Sequence, residues 1–189
     1  MIILANILSY VGNILFTSSS LFKKKTLIVT LQSINHVLSA LADIIMKAFS
    51  GASQEALSLV RDFILLFIKE DKKALKLVVS LICIAIQILT GILLNIFLSG
   101  NVWYGYLPVI GTIIYSTFIV WGYFLSNPLN SELIIKIGLI GNGVAWSIYG
   151  VYVNLIAITI FNIITIILCI ISIIRILINK HQLKELKMS

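Results

Sequence analysis

Apolar runs of roughly 18 residues or more follow one another along this chain with few breaks. Runs of that length read as membrane-crossing helices, whereas a soluble core shows shorter, periodic ones. Seven segments are expected, at about 3–21, 26–49, 53–69, 74–99, 103–126, 132–152 and 154–178. They use nearly the whole chain, so no soluble domain fits. Strand-length alternation suited to a barrel is absent. The expected fold is an all-α membrane protein of seven transmembrane helices.

Polar positions interrupt these runs unevenly. The first segment carries Asn6, Ser9, Tyr10, Gly12 and Asn13, and the second Gln32, Asn35, His36, Ser39, Asp43 and Lys47. Lipid cannot surround the second, which must face protein or water over much of its circumference. Asp43 and Lys47 stand four residues apart and can pair on one helix face. His36, near mid-membrane, reads either as a satisfied core histidine or as a proton or substrate contact. Arg61 falls about halfway along the third segment, where an Arg costs about 2.5–3.5 kcal/mol and needs a partner. Its neighbour Asp62 lies about 100° round the helix, so Asp43 or Glu55 could equally serve.

The fourth segment, with only Gln87, Thr90 and Asn95 as notable polar groups, reads as a connector in lipid contact. Trp103, Tyr104 and Tyr106 form an interfacial anchor. The fifth segment contains Pro108, Gly111, Thr112, Tyr115, Ser116 and Trp121, and Pro128 is expected to stop it. The last two segments hold Asn142, Trp146 and Tyr149–Gly150, then Asn162 beyond an uncharged turn at 152–154. A lone Asn in hydrocarbon needs a partner or a polar cavity. At about 1.5 Å rise per residue, Asn142 and Asn162 both come near mid-membrane. A small polar site inside an apolar bundle is therefore expected. The closing KHQLKELK is read as a short, solvated, fraying helix.

Composition agrees: 60% of the 189 residues are hydrophobic and 11% charged, with a mean hydropathy of +1.10. The net charge of +7 is placed as a topology signal rather than as a nucleic-acid surface. Lys23, Lys24, Lys25, Lys69, Lys72, Lys73, Lys76, Lys136, Arg175, Lys180, Lys184 and Lys187 share one side if every segment spans. Only Lys47 and Arg61 of the fourteen basic residues depart from it. The positive-inside rule then gives an outside N-terminus and a cytoplasmic C-terminus, with weak anionic-lipid attraction a secondary consequence. Cys83 and Cys169 fall inside segments and read as small hydrophobes. No cluster has metal-ligand spacing, and no cofactor is called for. HExxH, GxSxG and a paired catalytic Asp are all lacking, which argues against an enzyme. The N-terminal MIILANILSYVGNILF lacks a basic region and a cleavage site, and reads as a retained helix.

A weak self-match runs through the chain. Asn35 falls on Asn142, Ser39 on Trp146 and, with a gap between the helices, Ser58 on Asn162; Val11-Gly12-Asn13 matches Ile110-Gly111-Thr112. The expected organisation is a 3+1+3 parallel repeat of three-helix bundles: 1–73, a linker helix at 74–100, 101–179, and a cytoplasmic tail at 180–189.

Trp146-Ser147-Ile148-Tyr149-Gly150, with Asn162 sixteen residues after the Trp, resembles the SWEET/semiSWEET (MtN3, PQ-loop) transporter superfamily. The chain more closely resembles the YgjV-like bacterial inner-membrane family, on LQSINHV at 31–37 and the SGA…SLVRD run at 50–62. The transporter resemblance implies that Trp146 stacks on a substrate and Asn162 hydrogen-bonds it, with Ser39 and Ser58 in the partner positions. The chain differs in lacking prolines in helices one, two and six, and in carrying Arg61, Asp62, Asp43 and Lys47 as charges.

The expected function is a facilitator or secondary transporter of a small polar metabolite of sugar, nucleoside or vitamin type in a bacterial inner membrane. Its site is expected at Trp146, Asn162, Asn142, Asn35, Ser39, Ser58 and Arg61. The alternative is a non-transporting membrane protein with a packed interior. Lipid is the expected partner, a homo-oligomer is left open, and the sequence does not choose a substrate or a coupling ion.

Overall fold

The computed structural model describes residues 1–19, 25–68, 72–125 and 128–185, and the described residues contain helices and no strands. Seven α-helices run in order: α1 (Ile2–Ser19), α2 (Lys25–Ile45), α3 (Phe49–Phe67), α4 (Lys73–Phe97), α5 (Leu107–Phe124), α6 (Pro128–Tyr152) and α7 (Ile156–Glu185). One 3₁₀ turn, Trp103–Tyr106, precedes α5. Four stretches, Ala74–Phe97, Trp103–Gly122, Leu129–Tyr152 and Ile156–Ile178, are long and apolar enough to cross a membrane, and Ile2–Ser18 is a shorter apolar helix. α2 and α3, at 21 and 19 residues, also have spanning length, and α3 carries the charged Glu55, Arg61 and Asp62.

Consecutive helices pack on one another from α1 to α3 and from α5 to α7. The two triplets meet where α1 touches α7 and α3 touches α5, while α4 lies against α3 and α5. Buried positions are largely small or polar, including Ser9, Ser39, Ser50, Gln54, Gln87 and Asn95, while large aliphatics such as Ile163, Ile167 and Ile174 face outward. Such inversion of a soluble core suits a bundle whose solvent is lipid, because small residues allow close approach and interior polar groups can find partners.

Several boundaries differ from the sequence expectation. Trp103–Tyr106 is a separate turn, and Pro108 sits in the first turn of α5, where its missing N–H costs nothing. α5 ends at Phe124, and Pro128 opens α6 rather than closing α5, for the same reason. The expected C-terminal helix is the continuation of α7, which runs to Glu185. α2 stops at Ile45, and Lys47 takes a left-handed conformation (φ 58°) in the turn that follows. The helical four-residue spacing of Asp43 and Lys47 is thereby broken, and the expected ion pair does not form. Lys23, Lys24, Lys69 and Lys187 of the basic set lie outside the described residues.

The turns α2–α3 and α6–α7 are built alike. Met46 N–H donates to Ala42, Lys47 to Ile44 and Ala48 to Asp43; Val153 donates to Tyr149, Asn154 to Val151 and Leu155 to Gly150. Asn154 is left-handed at φ 58°, as Lys47 is. Each pair stands at the spacing that separates Asn35 from Asn142. Asn6 Nδ2 donates to the Asn154 carbonyl at 3.1 Å, tying the start of α1 to the same end of the bundle.

Candidate binding site

A cavity of about 280 Å³ lies between the two triplets. At ~30 Å³ per water it holds on the order of nine waters, or one small metabolite. All seven residues nominated from the sequence line it: Asn35, Ser39, Ser58, Arg61, Asn142, Trp146 and Asn162. It also takes in Asn13 and Phe16 from α1, Gln32 and His36 from α2, Glu55 and Asp62 from α3, and Thr112, Tyr115 and Ser116 from α5. Lys76 and Ser80 of α4 complete the wall, so the helix expected to be a lipid-facing connector contributes to the cavity. Gln87 is buried too, its side-chain amide donating to Ser58 Oγ at 3.2 Å while its backbone carbonyl accepts from Gln54 Nε2 at 2.9 Å.

Some of the lining residues of the two triplets stand at matching sequence positions. The spacing of the matched turns pairs Gln32 with Leu139, Asn35 with Asn142, Ser39 with Trp146, Glu55 with Asn162 and Ser58 with Thr165, all lining residues. At this ungapped spacing Glu55 falls on Asn162, whereas the gapped match put Ser58 there; all three line the cavity. In α1 and α5, the spacing of Gly12 to Gly111 pairs Asn13 with Thr112 and Phe16 with Tyr115. Each glycine backs an amide: a Cβ added at Gly12 would lie 2.9 Å from Asn35 Oδ1, and one at Gly111 3.1 Å from Asn142 Oδ1. No Cβ stands between those helices, so the asparagines can sit close against the neighbouring backbone.

Partners within the protein leave several polar atoms of this wall unused. Asn35 Oδ1 accepts from Ser39 Oγ at 3.3 Å, and Asn162 Nδ2 donates to the Ile158 carbonyl at 2.8 Å. Among the described residues, the Asn142 amide, Asn162 Oδ1 and the indole N–H of Trp146 have no protein partner. Trp146 is nevertheless 7% exposed and meets Tyr149 edge-on, with ring centroids 5.5 Å apart. Buried polar groups ordinarily find partners, so these are positioned to serve a solute or water in the cavity.

Charged side chains concentrate on the α2–α3 wall. His36 Nδ1 is 2.5 Å from Glu55 Oε2, and His36 Nε2 is 3.5 Å from Asp62 Oδ2. Arg61 Nε and Nη2 donate to Asp62 Oδ1 at 3.0 and 2.9 Å, and Nη1 donates to Ser116 Oγ at 2.8 Å. The partner of Arg61 is therefore its neighbour Asp62, rather than Asp43 or Glu55. Long side chains turn back along the helix surface and close the angular gap that the backbone leaves. Neither Glu55 nor Asp62 stood out as a site residue in the sequence, where both resemble ordinary charges near a helix end or beside an Arg. The signal available in the chain was that Glu55 falls on the position of Asn162 once the turns are aligned.

Toward the paired turns the cavity gives way to packed side chains: Ala5, Ala42, Ala48, Trp146, Tyr149, Val153, Leu155 and Ile158. Beyond them a second cavity of about 160 Å³ is lined by Ser50, Ser99, Tyr104, Tyr152 and Asn154, among others.

A family model described as Imp-YgjV, bacterial inner membrane protein, matches residues 3–180. The chain belongs to that family. Comparisons with curated proteins and with solved structures each gave no match. As a member of the Imp-YgjV family the protein sits in a bacterial inner membrane, with its apolar helix faces against lipid. The cavity offers an aromatic face at Trp146, amides on both sides, and a carboxylate–imidazole–carboxylate–guanidinium chain.

Proposed function

We propose that this Imp-YgjV family member is a facilitator or secondary transporter of a small polar metabolite, using the cavity between α1–α3 and α5–α7. The observation that carries this reading is the polar cavity of about 280 Å³ between the two triplets, lined by side chains from all seven helices. Identical hydrogen bonding in the α2–α3 and α6–α7 turns supports a 3+1+3 parallel repeat of units 1–73 and 101–179, with 74–100 as the linker and 180–189 as the tail. In this reading all seven helices span, α2 and α3 with their polar faces toward the cavity, and the architecture is SWEET-like. The basic end of the bundle is cytoplasmic, giving an outside N-terminus and an inside C-terminus. Two similar units rocking about a central site would expose it to each side in turn.

The test is a thermal-shift screen of the detergent-purified protein against sugars, nucleosides, vitamins, amines and amino acids, with Asn162→Ala alongside, followed by uptake into vesicles. A compound that stabilises wild type and not the variant, and that shows saturable uptake lost in Trp146→Ala despite intact folding, supports the reading. No shift by any compound in wild type, together with a markedly lower melting temperature for Asn162→Ala, overturns it.

A further inference from the structure

We propose that the solute is a cation, an amine or quaternary ammonium compound, bound at Glu55 in exchange for a proton held on His36; this rests on the transport reading above. The inference starts from which charges are already committed. Arg61 spends three guanidinium nitrogens on Asp62 and Ser116. Lys76, in the first turn of α4, has a partner of its own. Glu55 faces His36 with Oε2 alone, and Oε1 has no partner among the described residues. The carboxylate, the Trp146 ring and the Asn162 amide line the same cavity. A carboxylate combined with an aromatic face and amide carbonyls recognises positive charge.

The proton follows from the geometry of His36. Its two nitrogens face two different carboxylates, Glu55 at 2.5 Å and Asp62 at 3.5 Å. A neutral imidazole carries one N–H only, so both nitrogens present a proton to their carboxylates only in the imidazolium. With that proton in place, Glu55, His36, Asp62 and Arg61 sum to zero charge, the favoured condition inside a membrane. A cation arriving at Glu55 would leave the group one charge in excess. Release of the Nδ1 proton to water restores neutrality, and His36 keeps its Nε2–H toward Asp62. One cation is then taken up for one proton given off, at the same carboxylate. Other groups around His36 do not replace it in this role. On the packed faces, α1 contributes uncharged Asn13 and Phe16, α5 across the cavity contributes Tyr115, and Asp43 of α2 is bonded to Tyr149.

The experiment measures binding to the purified full chain by thermal shift and Trp fluorescence. The probes are tetramethylammonium and butylammonium, with erythritol and butyrate as the neutral and anionic comparisons. Proton release is followed in weakly buffered solution. Expected is saturable binding of the cations alone, with protons released. Apparent affinity should weaken by about tenfold per pH unit as pH falls through the range in which His36 binds its proton. Glu55→Gln should lose cation binding and Glu55→Asp should regain part of it, which separates the missing charge from a misfolded variant. His36→Asn should bind cations with no pH dependence and no proton release. Cation binding that survives in Glu55→Gln, or that is independent of pH in wild type, overturns the proposal. Binding of erythritol or butyrate instead of the cations overturns it and leaves transport standing; failure of every probe and of the wider screen removes both.

Discussion

Tyr149 of α6 reaches Asp43 of α2, its hydroxyl oxygen 3.3 Å from Asp43 Oδ1 and 3.2 Å from the Ala48 carbonyl oxygen. One hydroxyl proton serves two acceptors, and the second carboxyl oxygen of Asp43 has no partner among the described residues. Asp43 is fully buried, so this contact both joins the two triplets and covers a carboxyl group that water does not reach.

Tyr149→Phe should therefore lower stability by about 1–3 kcal/mol, the cost of stranding a buried polar group. Asp43→Asn in the same chain should recover part of that loss, because an amide carries less desolvation penalty than a carboxyl that can ionise. Chemical denaturation in detergent measures both, and additive effects of the two substitutions would show that the residues do not act together.

Gly51, at the start of α3, faces the same pair. A Cβ there would lie 2.6 Å from Asp43 Oδ2 and 2.7 Å from Tyr149 Cζ. Gly51→Ala should cost about 1–3 kcal/mol through overpacking. The second substitution Tyr149→Ala, which vacates the space, should add less than its own single-variant cost. A Gly51→Ala protein as stable as wild type would mean that α3 stands further from α6 than the structure has it.

The Arg61–Asp62 pair predicts an asymmetry between breaking and removing a charge pair. Arg61→Gln leaves Asp62 with His36 as its remaining charged partner beside the cavity and should cost up to roughly 3–5 kcal/mol, while Arg61→Gln with Asp62→Asn should cost clearly less. Melting temperatures of the single and double variants decide it. Equal losses in both would assign Arg61's contribution to its bond with Ser116 instead.

Orientation can be read by labelling single cysteines with a membrane-impermeant maleimide, after Cys83 and Cys169 are replaced by Ala. Gly100→Cys and Asn154→Cys should react from the periplasmic side, and Lys72→Cys only once the inner membrane is opened. The reverse pattern would invert the topology, and reaction of all three from one side would reduce the number of spans.

Membrane placement, helical class and most helix positions were legible in the chain itself, because runs such as 156–178 are apolar beyond what any soluble helix needs. The polar residues of the cavity were legible for the same reason: Asn142, Asn162 and Arg61 stand out against hydrocarbon, where each needs a partner or a cavity. Turn conformation and side-chain reach were not. The left-handed Lys47 ends the helical spacing on which an Asp43–Lys47 pair depended. Tertiary packing alone brought His36 between Glu55 and Asp62 and set Tyr149 over Asp43. Hydropathy is a property of each residue and survives in a string of letters. Which polar group answers which depends on helix rotation, register and rotamer, and these are fixed only when the helices meet.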